Sequence, residues 1–510
     1  MSVHFDQVSR IRPSSPEPAR FLDEYPDYER TRLLDDARAT EYAYVDRDEH
    51  VYLDYTAAGL AATAQFREHA ERLGSRCFGN PHSENPASRA STDLVAQARA
   101  AVLDHFNASS DEYTAVFVAN ATAACRLVAE AFPFDSGTRF VATADNHNSV
   151  NGIREYARAK HSRVQYVSGS GEDLRVDDES LRGVLSGRGR ATVGGTGPRG
   201  GRGGQGPATV PGSAGLFAYP AQSNFTGVRH PLHWVPMAQD EGFTVLLDAA
   251  AFVPTGRLDL SVVHPDFVAV SWYKVFGYPT GVGCLIARRD ALERLDRPWF
   301  SGGTIGAVSV RGDWHTMAGG AAGFEDGTVN FLAIPDVEVG LRRFNDLGVD
   351  TVSRRVRILT AWLLDRLCGL AHSNGAPMVR IYGPRTTQGR GGTVAFNFLD
   401  PQGAVVDERL VERDAAAARI SLRTGCFCNP GAGEIAFGIS ADDLRGRVGR
   451  ERFTIDEYLR QLRLPSGGAV RVSLGLVSNV ADVERFLTFA EKSYRDRRTL
   501  TDGLPPRERC

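Results

Sequence analysis

Lys160, Lys274 and Lys492 are the only lysines among the 59 basic residues of this 510-residue chain. Arginine stays charged at any workable pH, so a chain that otherwise uses arginine keeps lysine where an amine must be able to lose its proton. Lys160, in REYARAKH, and Lys492, in FAEKSYRDRR, read as solvated helix positions. Lys274 differs. It follows the apolar run FVAVSWY, and a second apolar run, LLDAAA, ends upstream on Asp248. Both residues therefore fall at the carboxyl edge of predicted strands, where open α/β sheets bind ligands. A desolvated amine beside a carboxylate suits pyridoxal phosphate. The amine forms the Schiff base, and the acid keeps the pyridine nitrogen protonated so that the ring accepts electrons. Taken singly, Asp248 reads equally well as a turn carboxylate and Lys274 as a surface cation. The neighbouring phosphate-type groups favour the joint reading.

Those groups begin with Asn120-Ala121-Thr122-Ala123, which joins the strand-like YTAVFVAN to an amphipathic helix. Small residues there let backbone N–H groups and the Thr122 hydroxyl meet an anion, although a threonine at a helix start also serves simply as a cap. Ser271, three residues before Lys274, supplies a second hydroxyl. His147, in TADNHNSV, follows another strand and is placed to stack on a cofactor ring; alone it reads as a hydrogen-bonded loop histidine. Seven cysteines show no CxxC pair or metal-ligand rhythm. Cys77, Cys125, Cys284 and Cys368 read as inert, whereas Cys426 and Cys428 share one Gly-containing loop, LRTGCFCNP.

The elements needed to position these residues are legible in outline. TRFVATAD, RVQYVSG, GLFAYPAQ, FTVLLDAAAF, FVAVSWYKVF and GCLIARRD are short Val-, Phe- and Leu-rich runs alternating with helical segments. That alternation predicts an α/β core with a mostly parallel sheet covered on both faces. Residues 1–48 are polar, proline-containing and read as an extension with one short helix near Tyr28 to Ala39. The large domain is expected over 49–333 and a smaller α+β domain over 334–498, with a tail at 499–510. Within the large domain, residues 187–215 are Gly- and Arg-rich and nearly free of large apolar side chains, which predicts a flexible surface insertion. A nucleic-acid-binding tract ranks last, because no aromatic is present there to stack a base.

The composition narrows the function class. A formal charge of −3 and 42% hydrophobic residues predict globular domains with no bulk attraction to nucleic acid or anionic membrane. No run approaches a bilayer span, and the opening residues lack an apolar signal core, so a cytoplasmic enzyme acting on a small molecule is expected.

YLDYTAAG, FGNPHSENPAS, ATAACRLVAEAFP, SNFTGVRHPL, LLDAAAFVPTGRLDLS, SWYKVFGYPTG, FEDGTVNF and LRTGCFCNPGA together resemble the class V, fold-type I pyridoxal-phosphate enzymes. Within that class the chain is most similar to the cysteine-desulfurase-like N-terminal domain of molybdenum cofactor sulfurases, over roughly residues 48–490. The resemblance implies Lys274 as the Schiff-base lysine, Asp248 at the pyridine nitrogen, His147 on the ring, and Ala121, Thr122 and Ser271 at the phosphate. It implies Asn224, in SNFTG, near cofactor and substrate, and a homodimer in which Thr328 reaches the phosphate of the neighbouring subunit. It further implies Arg471, in AVRVSLG, as the clamp for the carboxylate of the substrate cysteine, and Cys428 as the sulfur-accepting thiol, with Arg423 supplying positive potential. Cys426 is a second or resolving thiol on this reading, or part of an incidental CxC.

The reaction implied is removal of sulfur from cysteine, leaving alanine and a Cys428 persulfide on a loop that swings between pocket and surface. Ala251, Tyr273 and Gly433 depart from the ordinary desulfurase pattern, the first two in the direction of the cofactor-sulfurase branch. No counterpart of the molybdenum-cofactor-binding C-terminal domain of full-length sulfurases is expected before the chain ends at Cys510. The sulfur acceptor stays open between molybdenum cofactor, a carrier protein and a biosynthetic intermediate. A class V aminotransferase, lyase or epimerase shares the lysine, the aspartate and the phosphate cup but needs no thiol. A non-catalytic scaffold needs none of them.

Overall fold

The computed structural model describes residues 16–188, 214–444 and 467–498, with residues 456, 457, 459, 504, 506 and 507. Nearly all of the 187–215 insertion, most of the 499–510 tail and the first 15 residues lie outside these.

Seven strands build the central sheet: β1 (Tyr113–Val118), β2 (Arg139–Thr143), β3 (Arg163–Val167), β4 (Gly215–Pro220), β5 (Phe243–Asp248), β6 (Phe267–Ser271) and β7 (Gly283–Arg288). Their order is β1-β7-β6-β5-β4-β2-β3, parallel throughout except β7, which runs antiparallel to both β1 and β6. Both faces are covered, and consecutive residues serve opposite cores. Val141, Phe217, Tyr219, Val245 and Leu247 enter one cluster, while Phe140, Ala142, Leu216, Ala218 and Leu246 enter the other. This period-two division between two apolar layers explains runs that are hydrophobic without alternation. The sheet carries α1 (Pro86–His105), α2 (Ala121–Ala131) and the short α3 (Trp272–Phe276).

Beyond residue 334 come α4 (Pro335–Leu347) and α5 (Val349–Gly369). They precede an antiparallel sheet of β8 (Val379–Tyr382), β9 (Thr393–Phe398), β10 (Arg423–Gly425) and β11 (Ala469–Ser473), in the order β8-β9-β11-β10. Helices α6 (Glu408–Ala417) and α7 (Val480–Tyr494) complete this α+β layer. Val51–Tyr52 pairs in parallel with Ile420–Ser421, and Asp54 bridges to Ser473, so the YLDYTAAG segment is laced into the second sheet. Among the described residues no helix is long and apolar enough to cross a membrane.

The stretch read as an extension with one short helix is more structured than its polar composition suggests. It holds helices at Pro16–Glu24, Leu33–Glu41 and Ala43–Arg47 and a 3-10 turn at Pro26–Thr31. Its few apolar side chains go inside. Phe21 and Leu34 are fully buried, and Phe21 packs edge-on against Tyr28 and Trp362. Arg355 of α5, also fully buried, reaches back to Asp35 at 2.7 Å and to the Thr31 carbonyl at 2.7 Å. Arg38 joins Asp46 to Asp482 of α7. A polar segment with two or three well-spaced anchors thus folds onto a ready surface.

Replacing Phe21 by alanine is expected to cost about 3–5 kcal/mol, as for other buried aromatics. Urea unfolding measures it, and a loss below about 1 kcal/mol would show the segment to be energetically peripheral.

Candidate active site

Lys274 is delivered to the sheet edge by β6, whose last residue, Ser271, leads directly into α3. The turn is fixed by an interlock with residues 55–61. The Gly59 N–H donates to the Tyr273 carbonyl at 2.9 Å, and a Cβ on Gly59 would lie 3.0 Å from the Lys274 carbonyl oxygen. Gly277 closes α3 at φ +75°, where a Cβ would strike the Ala61 nitrogen at 2.4 Å. Only glycine fits that place. Asp248, buried at the end of β5, accepts from the Ala250 N–H at 3.0 Å.

The amine is held in an environment that disfavours its charge. Burial pushes the Lys274 pKa down, and Arg471 and Arg423 push it further; Asp248 and, more weakly, Cys125 oppose them. The His147 pKa is lowered for the same reasons, burial first, then Lys274 and Arg471, with Asp248 again opposing. Both groups are thus shifted toward their neutral forms.

The first turn of α2 gathers the hydroxyls. Asn120 caps the helix by accepting from the Ala123 N–H at 3.0 Å, and Ser271 Oγ accepts from the Ala121 N–H at 2.8 Å. Thr122 Oγ1 and Ser149 Oγ are 2.6 Å apart, and Ser149 Oγ lies 2.8 Å from His147 Nδ1. Strand β7 passes close beneath this turn. A Cβ on Gly283 would lie 2.7 Å from the Asn120 Cα and 2.6 Å from the Val270 carbonyl. The result is a hydroxyl-lined helix start beside the lysine, suited to an anion.

Arg471, on β11, stands opposite Arg423 of β10 in the sheet register, a like-charge pair that is unfavourable alone. Asp54 resolves it. Its carboxylate accepts from Arg471 Nη2 at 3.1 Å and from Arg423 Nη2 at 2.8 Å. Arg471 Nη1 donates to the Asn224 carbonyl at 3.0 Å, while its Nε is buried without a partner. Burial lowers the Arg471 pKa to about 10 despite Asp54. A buried guanidinium that shares one carboxylate with another arginine thus keeps one donor without a partner among the described residues.

Cys428 lies within electrostatic reach of both arginines. Its loop is held down at several points. Asn224 Nδ2 donates to the Phe427 carbonyl at 2.8 Å, the Asn148 N–H donates to the Cys428 carbonyl at 2.7 Å, and Asn429 Nδ2 donates to Asn224 Oδ1 at 2.9 Å. The Phe427 ring covers the Arg471 guanidinium at 4.7 Å and meets Phe225 at 5.2 Å. Phe427 and Cys428 have φ of +56° and +53°, two successive non-glycine residues in the left-handed region. That conformation costs about 1–2 kcal/mol per residue and is offset by the clamps. Cys428 is an exposed, free thiol. Cys125 is also close to Lys274, but it is buried with its pKa pushed well above the thiol range, and Cys426 is disulfide-bonded.

Lys274, Asp248, His147, Ala121, Thr122, Ser271, Asn224, Arg471 and Cys428 are thus linked around one edge of the large sheet. Thr328 stands apart. It is exposed, accepts from Asn80 Nδ2 at 3.0 Å, and borders with Ala123 and Arg126 a cavity of about 370 Å³ along α2. Three contributors escape the sequence reading: Ser149, Asp54 and Phe427. Ser149, two residues beyond His147, and Asp54, at the end of a strand-like run, carried a positional signal. Phe427 carried none.

The residues fit pyridoxal phosphate: a hydroxyl-rich helix start for its phosphate, a desolvated amine for its aldehyde, a carboxylate and a neutral imidazole for its ring.

Comparison with known proteins agrees. The family described as aminotransferase class-V matches residues 51–188 and 208–486. The molybdenum cofactor sulfurase of Solanum lycopersicum is 35% identical over 497 residues, covering 94% of this chain and 60% of that protein. The human molybdenum cofactor sulfurase is 35% identical over 460 residues, covering 86% of this chain and 49% of that protein. The chain therefore spans between half and three-fifths of the length of these relatives. Among solved structures, the cysteine desulfurase of Thermococcus onnurineus superposes with a TM-score of 0.69 at 23% identity, covering 90% of this chain and 97% of that one. A cysteine desulfurase of Escherichia coli gives 0.67 at 20% identity, covering 90% and 98%.

The depressed Lys274 pKa predicts that, in cofactor-free protein, acylation of this amine reaches half its plateau rate below the ordinary lysine value of 10.5. Asp248→Asn should lower that midpoint further, because it removes the one strong opposing charge. Peptide mapping after timed labelling measures it, and a midpoint at or above 10.5 would contradict the electrostatic account.

Proposed function

The chain belongs to the aminotransferase class-V family, a family of pyridoxal-phosphate enzymes, and we propose that within it this protein is a cysteine desulfurase that passes sulfur to an acceptor. The single observation that carries this reading is Cys428, an exposed free thiol clamped beside Asn224 and within reach of Arg423 and Arg471, the two arginines that also act on Lys274. An aminotransferase or epimerase has no use for a nucleophile there.

When bound, pyridoxal phosphate would supply an electron sink that acidifies the Cα hydrogen and loosens bonds at Cβ of an amino acid. Lys274 would hold its aldehyde, Asp248 its ring nitrogen and His147 its ring face, with Ala121, Thr122, Ser149 and Ser271 around the phosphate. The side chains do the rest. Arg471 pairs with the substrate carboxylate and fixes the amino acid's orientation. Lys274 Nζ, its proton loosened by desolvation, accepts the Cα proton and returns a proton to the carbon skeleton. The Cys428 thiolate attacks the substrate sulfur: an S–S bond forms, the C–S bond breaks, and cysteine leaves as alanine. Thiol plus cysteine becomes persulfide plus alanine, which balances without an outside oxidant or reductant. Phe427 and the neighbouring clamps keep the thiol docked, and release of the left-handed turn would carry the persulfide outward.

The working unit on this reading is a homodimer. Trp299, Phe300, Val308, Val310, Trp314 and Leu332 are all exposed, with Trp314 at 52% and Val310 at 94%, in the segment that also bears Thr328. An apolar surface of that density suits a second copy, and Thr328 is our candidate for reaching the partner's phosphate cup. The acceptor of the sulfur is open between molybdenum cofactor, a carrier protein and a biosynthetic intermediate.

The test is to incubate the purified, cofactor-loaded protein with L-cysteine and measure alanine and protein-bound persulfide. Both are expected in equal amounts in the first turnover, and Cys428→Ala should reduce alanine formation at least about 10²-fold while the cofactor stays bound. Undiminished turnover in that variant, or amino transfer to a keto acid instead, would replace this reading with a transaminase one.

A further inference from the structure

A polar cavity of about 180 Å³ lies where the 227–229 and 389–391 segments meet α5, lined among others by Arg229, Arg390 and Arg357 with Ser353 and Thr387. Arg390 is enclosed and Arg229 partly so. Arg390 is only 5% exposed, and its donors go to main-chain carbonyls, those of Thr226, Pro384, Gly391 and Thr393. Arg229 donates to Gln222 Oε1 at 3.0 Å and to the Thr255 carbonyl at 2.9 Å, with its guanidinium 5.0 Å from the Phe252 ring centre. Arg357, on the solvent side of α5, closes the third side of the cavity.

Three guanidinium groups thus converge, and among the described residues none of them forms an ion pair with a carboxylate. Two acids of the 172–173 turn pair with other arginines. Asp173 sits 3.4 Å from Arg175, and Glu172 sits 4.0 Å from Arg385. Arg175 itself adds positive charge, donating to the Gln388 and Gly389 carbonyls that form the cavity's outer wall. Desolvation lowers the pKa of both Arg229 and Arg390 to about 10, with Arg175 adding to the fall at Arg390 and Asp173 opposing it, which leaves both cationic at neutral pH without a carboxylate bonded to them among the described residues. Buried charges are ordinarily paired, so one buried and one half-buried arginine, neither in an ion pair among the described residues, flanking a polar cavity mark a missing anion. Arg229 Nη1 has no partner among the described residues and Arg390 Nη1 carries one hydrogen beyond its bond to Pro384, so these, the exposed Arg357 guanidinium and two hydroxyls are the donors left for an oxyanion.

We propose that this cavity is a second ligand site, separate from the Lys274 edge, which binds a phosphate-class oxyanion through Arg229, Arg390 and Arg357. Its location gives it a connection to the first site. Residues 221–230 form a hairpin closed by the Gln222–Arg229 bridge, the Ser223 N–H to Val228 carbonyl bond and the His230 N–H to Ala221 carbonyl bond. The cavity lies at the base of this hairpin, at Arg229, and Asn224, which holds both Phe427 and Arg471, lies at its tip. An anion bound at the base stiffens the element that clamps the thiol loop. The ligand is either free inorganic phosphate or the phosphate of a monoester whose organic part extends past Arg357 into solvent.

Isothermal titration of inorganic phosphate into the cofactor-loaded protein, at constant ionic strength set with chloride, tests the proposal. Loading keeps the α2 phosphate cup filled. One saturable site per chain is expected, weakened about tenfold or more by Arg357→Gln, the loss of one charge-assisted bidentate contact. Arg357 is exposed and makes no core contact, so its replacement leaves the fold intact; Arg229→Gln is a second variant expected to weaken binding equally. Glycerol phosphate binding more tightly than phosphate identifies the monoester as the ligand class, and the reverse order identifies the free anion. Absence of saturable binding overturns the proposal. So does binding that both arginine variants leave unchanged, or binding that Thr122→Val abolishes, which would assign the phosphate to the cofactor cup.

Discussion

An amine that must be neutral is the constraint around which this molecule is arranged. A lysine side chain gives up its proton more readily when water is removed from it and positive charge stands near it. Both conditions are met at Lys274. The end of β6 takes it out of solvent, and Arg471 and Arg423 supply the positive field. The same field must not drive the amine away from its acidic partner, and Asp248 at the end of the adjacent strand provides the counterweight. Two neighbouring parallel strands ending on an aspartate and entering the lysine's turn are the simplest way to hold both at fixed separation, and the sheet supplies that register without help from loops.

The second sheet has the complementary task of holding positive charge in place without quenching it. Arg423 and Arg471 face one another across β10 and β11, and Asp54 alone bonds to both. One carboxylate for two guanidinium groups leaves a net charge near +1 where a substrate carboxylate would dock. Placing Asp54 there requires the chain before the large sheet to cross and pair with the second sheet, which explains why residues 51–54 are laced between Ile420–Ser421 and Ser473. The thiol loop then rests on this construction, with Phe427 over Arg471 and its left-handed backbone kept by hydrogen bonds from Asn224 and Asn148. The left-handed turn at Phe427 and Cys428 is a strained conformation that these clamps hold in place.

Much of this was readable from residue types. The rarity of lysine isolates Lys274, apolar runs ending on Asp248 and Ser271 locate the sheet edge, and small residues after YTAVFVAN locate the α2 turn. Strand alternation with helices announces the parallel sheet, though not that β7 runs antiparallel, because a strand buried on both faces carries no directional mark. What composition hid was long-range. Asp54 lies 369 residues from Arg423 and acts only once the second sheet forms. Phe427 looks like any core aromatic until its ring is found over a guanidinium. The N-terminal segment misleads for the opposite reason: its few anchors, Phe21, Leu34 and Arg38, are diluted by charged residues that stay in water. The arginine-lined cavity escaped notice because its members come from three separated segments in a chain where arginine is the common surface cation.

The central claim is that the Lys274 amine is the covalent anchor of pyridoxal phosphate. Borohydride reduction of the protein loaded with the cofactor, followed by peptide mapping, tests it directly because only three lysines can carry the label. The account predicts a pyridoxyl group on Lys274, one per chain. A label on Lys160 or Lys492 alone, or none at all, would contradict it.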